Sequence, residues 1–252
     1  MAIFITGGAR SGKSDFAERY AMRLAASGVY IATSQIWDEE MRQRIGLHQA
    51  SRADSGYSWR TIEEPYGLAE TLRALEAQFA ASAAQRPAVV VDCLTLWLSN
   101  QLLRLEPVEE ADESEGASGS MAVSDRMAPV EAQAGADREP RGEESAAADL
   151  PIRAEGFASE SDHFAARQTY VENLDALVDQ LAEAVAAYRG PLLLVTNEVG
   201  SGIVPAYALG RRFRDAAGRM NRKLASVCEE AYMVVAGFPL DLKKLAFRLE
   251  DA

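Results

Sequence analysis

Eight residues, Gly7-Gly8-Ala9-Arg10-Ser11-Gly12-Lys13-Ser14, follow directly on the apolar run Ala2-Ile3-Phe4-Ile5. The spacing is G-x-x-x-x-G-K-S, at the point where a strand gives way to a helix. Glycines let the backbone curl until its N–H groups face a chain of phosphates. The helix that opens at Lys13 adds its positive end to the same spot. Lys13 can reach the β- and γ-phosphates of a nucleoside triphosphate, and the Ser14 hydroxyl can ligate Mg²⁺. The plainer alternative is a glycine-rich turn that binds nothing. The amphipathic Asp15–Ala26 stretch after the loop favours the phosphate site. A second signal is Val89-Val90-Val91-Asp92, an apolar strand ending in a carboxylate that would stand near the loop's Mg²⁺. Leu192-Leu193-Leu194-Val195 ends in the same way, on Thr196-Asn197-Glu198. Asn197 and Glu198 either orient substrate or metal, or cap the strand edge.

These residues need a scaffold that brings strand ends together. Short apolar runs at Ile3–Thr6, Val29–Thr33, Ala88–Asp92, Leu192–Thr196 and Tyr232–Ala236 read as strands. Helical patterns cover Lys13–Ala26, Asp38–Arg52, Tyr66–Ala84, Leu94–Leu105, Ala165–Tyr188 and Pro205–Glu229. Alternating β and α elements, with strands apolar throughout, predict an α/β fold: a mostly parallel sheet with helices on both faces. Ligands of such sheets sit at the carboxyl ends of the strands.

Composition sets further bounds. An apolar fraction of 48% over 252 residues is ample for a core. No apolar run reaches the roughly 18 residues of a membrane span. The chain enters a strand without the regions of a signal peptide, and its two cysteines, Cys93 and Cys228, make neither a disulfide framework nor a metal set. The expected compartment is the cytoplasm. The net charge of −12 belongs to one segment: residues 106–163 carry 16 Asp or Glu and 4 Arg, and the remaining chain has 22 of each sign. No basic stripe suggests nucleic acid. Segment 106–163 is rich in Ala, Glu, Ser, Gly and Pro, nearly lacks aromatics and has no sustained period. It reads as a disordered acidic insertion in a single P-loop α/β domain spanning 1–252. It is either a solvated passenger or a regulatory, partner-binding segment.

Further stretches go beyond a generic phosphate-loop protein. They are Tyr30-Ile31-Ala32-Thr33-Ser34-Gln35, Asp38-Glu39-Glu40-Met41-Arg42-Gln43-Arg44-Ile45, His48 with Arg52, and Trp59-Arg60-Thr61-Ile62-Glu63-Glu64-Pro65. Asp92-Cys93-Leu94-Thr95-Leu96-Trp97, Thr196 to Pro205 and Arg212 to Asn221 follow. In this order they resemble the bifunctional adenosylcobinamide kinase / adenosylcobinamide-phosphate guanylyltransferase family of cobalamin biosynthesis. The resemblance covers about 1–105 and 165–245. It implies a RecA-like P-loop NTPase fold and a homotrimer. The implied activity has two steps. A nucleoside triphosphate, ATP or GTP, phosphorylates the aminopropanol hydroxyl of adenosylcobinamide. GMP then passes from GTP, through a guanylylated histidine, to that phosphate, giving adenosylcobinamide-GDP and pyrophosphate.

Of the chain's two histidines, His163 lies at the end of the acidic segment, and His48 falls in the motif. Arg44, His48 and Arg52 are spaced i, i+4, i+8 and would share a helix face. Guanidinium groups beside an imidazole favour its neutral, nucleophilic form and could hold a triphosphate. A surface histidine on a basic helix face is the alternative. Some relatives carry two adjacent histidines here, where this chain has Leu47-His48; Arg222 is a second departure. The resemblance implies nucleotide contacts from Gly7 to Ser14, from Thr33, Ser34 and Gln35, from Gln49, Ala50, Ser51 and Arg52, and from Glu63 and Asp92, with Ser14 and Asp92 on the metal. Glu63 or Glu64 could bind ribose or metal, or serve as a helix N-terminal charge before Pro65. Gly200 to Pro205 would be a mobile loop over the corrinoid or a tight connection, with Pro205 opening a helix. Arg214 is a candidate phosphate contact. Trp59, Trp97 and Phe213 read as core.

Overall fold

The structure is a computed structural model. It describes residues 1–35, 52, 55–81, 85–105 and 160–247, and in the last stretch the side chains from residue 173 onward. The helix expected over Asp38–Arg52 lies outside the described residues except for Arg52, and so do His48, Gln49, Ala50, Ser51 and nearly all of the acidic segment. The chain divides into a main unit, residues 1–106 and 164–252, and a second unit, 107–163.

The described elements run β1 (Ala2–Gly7), α1 (Lys13–Leu24), β2 (Ser27–Ala32), β3 (Ser58–Glu63), α2 (Leu68–Ala80), β4 (Ala88–Asp92), α3 (Leu94–Leu105), α4 (Glu160–Ala187), β5 (Leu192–Val195), α5 (Ala208–Val227), β6 (Glu230–Val235), β7 (Phe238–Asp241) and α6 (Leu242–Leu245). Seven strands form one sheet in the order β3-β2-β4-β5-β1-β6-β7. Every pairing is parallel except β6 with β7. The central strands are apolar on both faces because both are covered. Ala2, Phe4, Val89, Val91, Leu192 and Leu194 join a core built with α2 to α5. Their neighbours Ile3, Ile5, Val90, Leu193 and Val195 pack on the opposite side, against Ala17 and Ala21 of α1. Two alanines one turn apart let α1 lie close to the sheet. Helices therefore cover both faces.

Two strands escaped the sequence reading. In β3, at one edge, only Trp59 and Ile62 are half-buried and the other residues are exposed, so there is no apolar run to see. Gly28 is what admits Trp59 there: a Cβ would stand 2.3 Å from the indole. In β7, Pro239 argues against a strand, but an edge position tolerates it. Ala236 (φ 50°) and Gly237 (φ 85°) make the two-residue turn into β7. The start of α5 is also corrected. It opens at Ala208, not Pro205, with Tyr207 extended at its N-cap, and the Pro205 and Ala206 carbonyls accept from Arg211 instead of a helical turn.

Buried acids give the fold an alkaline limit. Burial pushes the Cys93 thiol up to about 11, with the Asp92 carboxylate adding to it, and burial pushes Cys228 and the Tyr188 phenol up to about 12. In the unfolded chain the thiols release protons near 9.0 and the phenol near 10.0. Above that range the unfolded chain holds fewer protons than the folded one, so stability falls as pH rises. The urea midpoint should be level between about pH 7 and 8 and decline from about pH 9 towards 12, less steeply in Cys228→Ala. A level midpoint across the alkaline range would contradict this account.

Candidate active site

The phosphate loop is built as its residues demand. At Gly7 a Cβ would meet the Val234 carbonyl at 2.5 Å and the Ser11 hydroxyl at 2.7 Å, so only glycine lets the loop close here. Arg10 (φ 55°) and Gly12 (φ 90°) are left-handed, the kind of backbone from which anion-binding concavities are built. The Ser11 N–H donates to Gly8 O at 3.3 Å, and Phe16 N–H to Gly12 O at 2.9 Å starts α1. The β6–β7 turn braces the loop from outside through Gly237 N–H to Ser11 O at 2.9 Å. Lys13 is buried, and its ammonium folds back to donate to Gly8 O at 3.1 Å.

Beside the loop lies a cavity of about 800 Å³, large enough for a nucleotide. Ala9, Arg10, Lys13 and Ser14 border it from the loop, while Gly7, Gly8, Ser11 and Gly12 shape the turn and do not line it. The ends of four strands supply Ser34 and Gln35, Glu63, Asp92, and Asn197 with Glu198. Tyr30, Arg52, Cys93, Val199 and Phe213 are among the other residues of its walls. Parallel strands explain the convergence, because all of them end on one edge.

The polar groups at this edge are held by partners far away in the chain. Asp92 accepts the Tyr30 hydroxyl at 2.8 Å. Burial, and then the Asp92 charge, hold the Tyr30 phenol protonated far above its ordinary range. The Arg52 guanidinium lies 3.7 Å from the centre of the Tyr30 ring and 3.3 Å from Glu18 of α1, and it is only 5% exposed. Arg52 thus borders the cavity while anchored in the wall. Asn197 donates to Thr95 at 2.6 Å, and Thr95 contacts the Cys93 thiol at 3.1 Å. Glu198 accepts from Thr6 at 2.7 Å and from Asn221 at 3.3 Å.

Several expectations change. Thr33 does not reach the cavity. It is fully buried, where its hydroxyl donates to Cys93 O at 2.7 Å and accepts Cys93 N–H at 2.9 Å, stapling the end of β2 to that of β4. Arg214 donates from Nε and Nη2 to Gly200 O, at 3.1 and 2.8 Å, so it pins the Gly200–Pro205 loop, and it is not among the residues that line the cavity. The adjacent glutamates divide the two roles left open. Glu64 accepts Tyr66 N–H at 3.1 Å, Gly67 N–H at 2.7 Å and the Thr71 hydroxyl at 3.0 Å, which caps α2, whereas Glu63 borders the cavity. Trp97 is core, with its indole N–H on Tyr66 O at 2.8 Å, but Phe213 reaches the cavity wall. The parts played by Tyr30, Glu18 and Asn221 carry no local signal: each depends on a partner many residues away.

A family profile described as cobinamide kinase / cobinamide phosphate guanyltransferase matches residues 3–134 and 157–242. The chain belongs to this family. It is 32% identical over 243 residues to the bifunctional adenosylcobalamin biosynthesis protein CobP of Pseudomonas aeruginosa, covering 96% of this chain and 98% of that one. It is 32% identical to the bifunctional adenosylcobalamin biosynthesis protein CobU of Salmonella typhimurium and 31% to that of Escherichia coli, over 96% of this chain and 100% of each relative.

The two glutamates make a direct test of this geometry. Glu64→Ala should cost about 1–2 kcal/mol of stability, as lost helix caps do, with nucleotide KM unchanged. Glu63→Ala should raise nucleotide KM roughly tenfold and leave the melting temperature alone. Thermal melts and nucleotide titrations of both variants would expose an exchange of roles.

Proposed function

We propose that this chain phosphorylates the aminopropanol hydroxyl of adenosylcobinamide with a nucleoside triphosphate, ATP or GTP, and then transfers GMP from GTP to the new phosphate. The observation that carries this is the phosphate loop with Lys13 bordering a cavity that three strand-end carboxylates share, in a chain of the cobinamide kinase family. Lys13 and the loop N–H groups would hold the transferred phosphoryl group and take up charge as it moves. Glu63 would hold the nucleoside end. Arg52, four residues after His48 in the sequence, borders the same cavity.

Magnesium fits the residues present. Ser14 and Asp92 border one cavity, and Tyr30 engages only one Asp92 oxygen. Among the described residues no three His, Cys, Asp or Glu side chains converge, but magnesium needs no such set: one or two protein oxygens, phosphates and water complete its shell. When bound, it would neutralise charge on the β- and γ-phosphate oxygens.

For the second step we assign the covalent carrier to His48. Its neutral ring nitrogen attacks the α-phosphorus of GTP, and pyrophosphate leaves. A phosphate oxygen of the substrate then attacks the same phosphorus and frees the histidine. Incubation with Mg²⁺ and GTP labelled at the α-phosphate, followed by denaturation, should leave acid-labile, base-stable label on the wild type and none on His48→Ala. Nucleotide binding without label on either protein would reduce the chain to a kinase.

The trimer that the family resemblance implies is also proposed. Phe238, Leu240, Leu245 and Phe247 are exposed apolar side chains in the β7–α6 region, as a surface shared between copies would have. Light scattering should give three times the 27.3 kDa chain mass, and a monomer would refute it.

A further inference from the structure

Three carboxylates border the cavity, and their strands set how far each stands from the phosphate loop. The loop continues β1, and the order β3-β2-β4-β5-β1 puts Glu63 four strands away, Asp92 two and Glu198 one. At about 5 Å per strand, Glu63 is nearly 20 Å across the edge from β1, too far to act where a γ-phosphoryl group moves. Asp92 is about 10 Å across, with one oxygen already on Tyr30. Glu198 is adjacent: its N–H donates to Gly7 O at 3.1 Å, the first residue of the loop. Its Oε1 is fixed by the Thr6 hydroxyl at 2.7 Å and the Asn221 amide at 3.3 Å. Asn221 is in turn locked by Thr196 at 2.9 Å and by Asn197 O at 3.1 Å. Among the described residues Oε2 accepts no hydrogen bond, although Glu198 borders the cavity. One oxygen is clamped from two sides and the other is left for a ligand.

We infer that Glu198 is the general base of the phosphoryl-transfer step. This rests on the function proposed above and adds a role for a residue of the same cavity. The acceptor is an alcohol, whose oxygen carries a proton that must leave as it attacks. Glu198 Oε2 takes that proton while the acceptor oxygen bonds to the γ-phosphorus. The bond from that phosphorus to the bridging oxygen breaks, and the nucleoside diphosphate departs with the electron pair. The proton then passes from Glu198 to solvent. The guanylyl transfers make no such demand. A neutral imidazole attacks through a lone pair, and a phosphate oxygen is already anionic, so neither nucleophilic atom carries a proton to remove. Glu198 should therefore serve one half of the enzyme and not the other.

Glu198→Gln separates the halves, because the amide oxygen can still accept from Thr6 and Asn221. The kinase half is read as phosphoryl transfer from γ-labelled ATP or GTP to adenosylcobinamide. The transferase half is read as GMP transfer to adenosylcobinamide phosphate prepared beforehand. We expect kinase kcat to fall about 10²- to 10⁴-fold while transferase kcat stays within about threefold of wild type. Glu198→Asp, a carboxylate drawn back by one methylene, should recover part of the kinase rate. Kinase activity retained in Glu198→Gln would overturn the assignment. So would equal losses in both halves, which would make the carboxylate a nucleotide, metal or folding element. A wild type that performs neither half would instead sink the function on which the inference rests.

Discussion

Five strands that run the same way decide where chemistry can occur in this protein. Parallel pairing puts the carboxyl ends of β3, β2, β4, β5 and β1 along one edge. The inner strands β2, β4 and β5 are largely apolar and turn polar where they end, at Ser34 and Gln35, Asp92, and Asn197 with Glu198, while the half-exposed edge strand β3 ends on Glu63. Burial on both faces keeps charged groups off the interior of β2, β4 and β5. The edge therefore gathers a lysine, hydroxyls and three carboxylates from stretches nearly two hundred residues apart. The cavity beside the phosphate loop follows from the sheet rather than from any one segment.

Gathering alone would not hold these groups in place. Several are tied by bonds that cross between elements. Thr33 staples β2 to β4, and Tyr30 holds Asp92 from the neighbouring strand. Thr95 and Asn197 join the start of α3 to the end of β5. Thr6 and Asn221 clamp Glu198 from β1 and α5. Most of these bonds are buried or half-buried, where a satisfied polar network rigidifies a site and an unsatisfied one is costly. Asp92 and Glu198 are thus positioned by side chains from neighbouring elements. Arg52 extends the network by a stacked contact on Tyr30 and a paired Glu18, linking α1 to the cavity wall.

Much of this was legible in the chain. G-x-x-x-x-G-K-S after an apolar run specifies a local backbone path, and the structure has it, with left-handed residues at Arg10 and Gly12. Five strands and most helices appear within a few residues of their sequence patterns, because burial on two faces leaves a strong apolar signal. β3 and β7 were not legible: edge strands are half-exposed, so their residues look like loops. The opening of α5 at Ala208 was hidden for a related reason. A proline suits a helix start, but here Arg211 takes up the Pro205 and Ala206 carbonyls.

The sequence by itself determined the phosphate loop, the parallel α/β plan and membership of the cobinamide kinase family. All three rest on local spacing and on which residues must be buried. Only the tertiary structure decided which of Glu63 and Glu64 caps a helix and which borders the cavity. It also turned Thr33 inward, tied Arg214 to the Gly200 carbonyl, and set Glu198 against Thr6 at a separation of 192 residues. A side chain's partner depends on which distant segments meet it, and no local pattern carries that information. Hydrogen bonds reach only about 3 Å, so contacts of this kind exist once the chain has folded and not before.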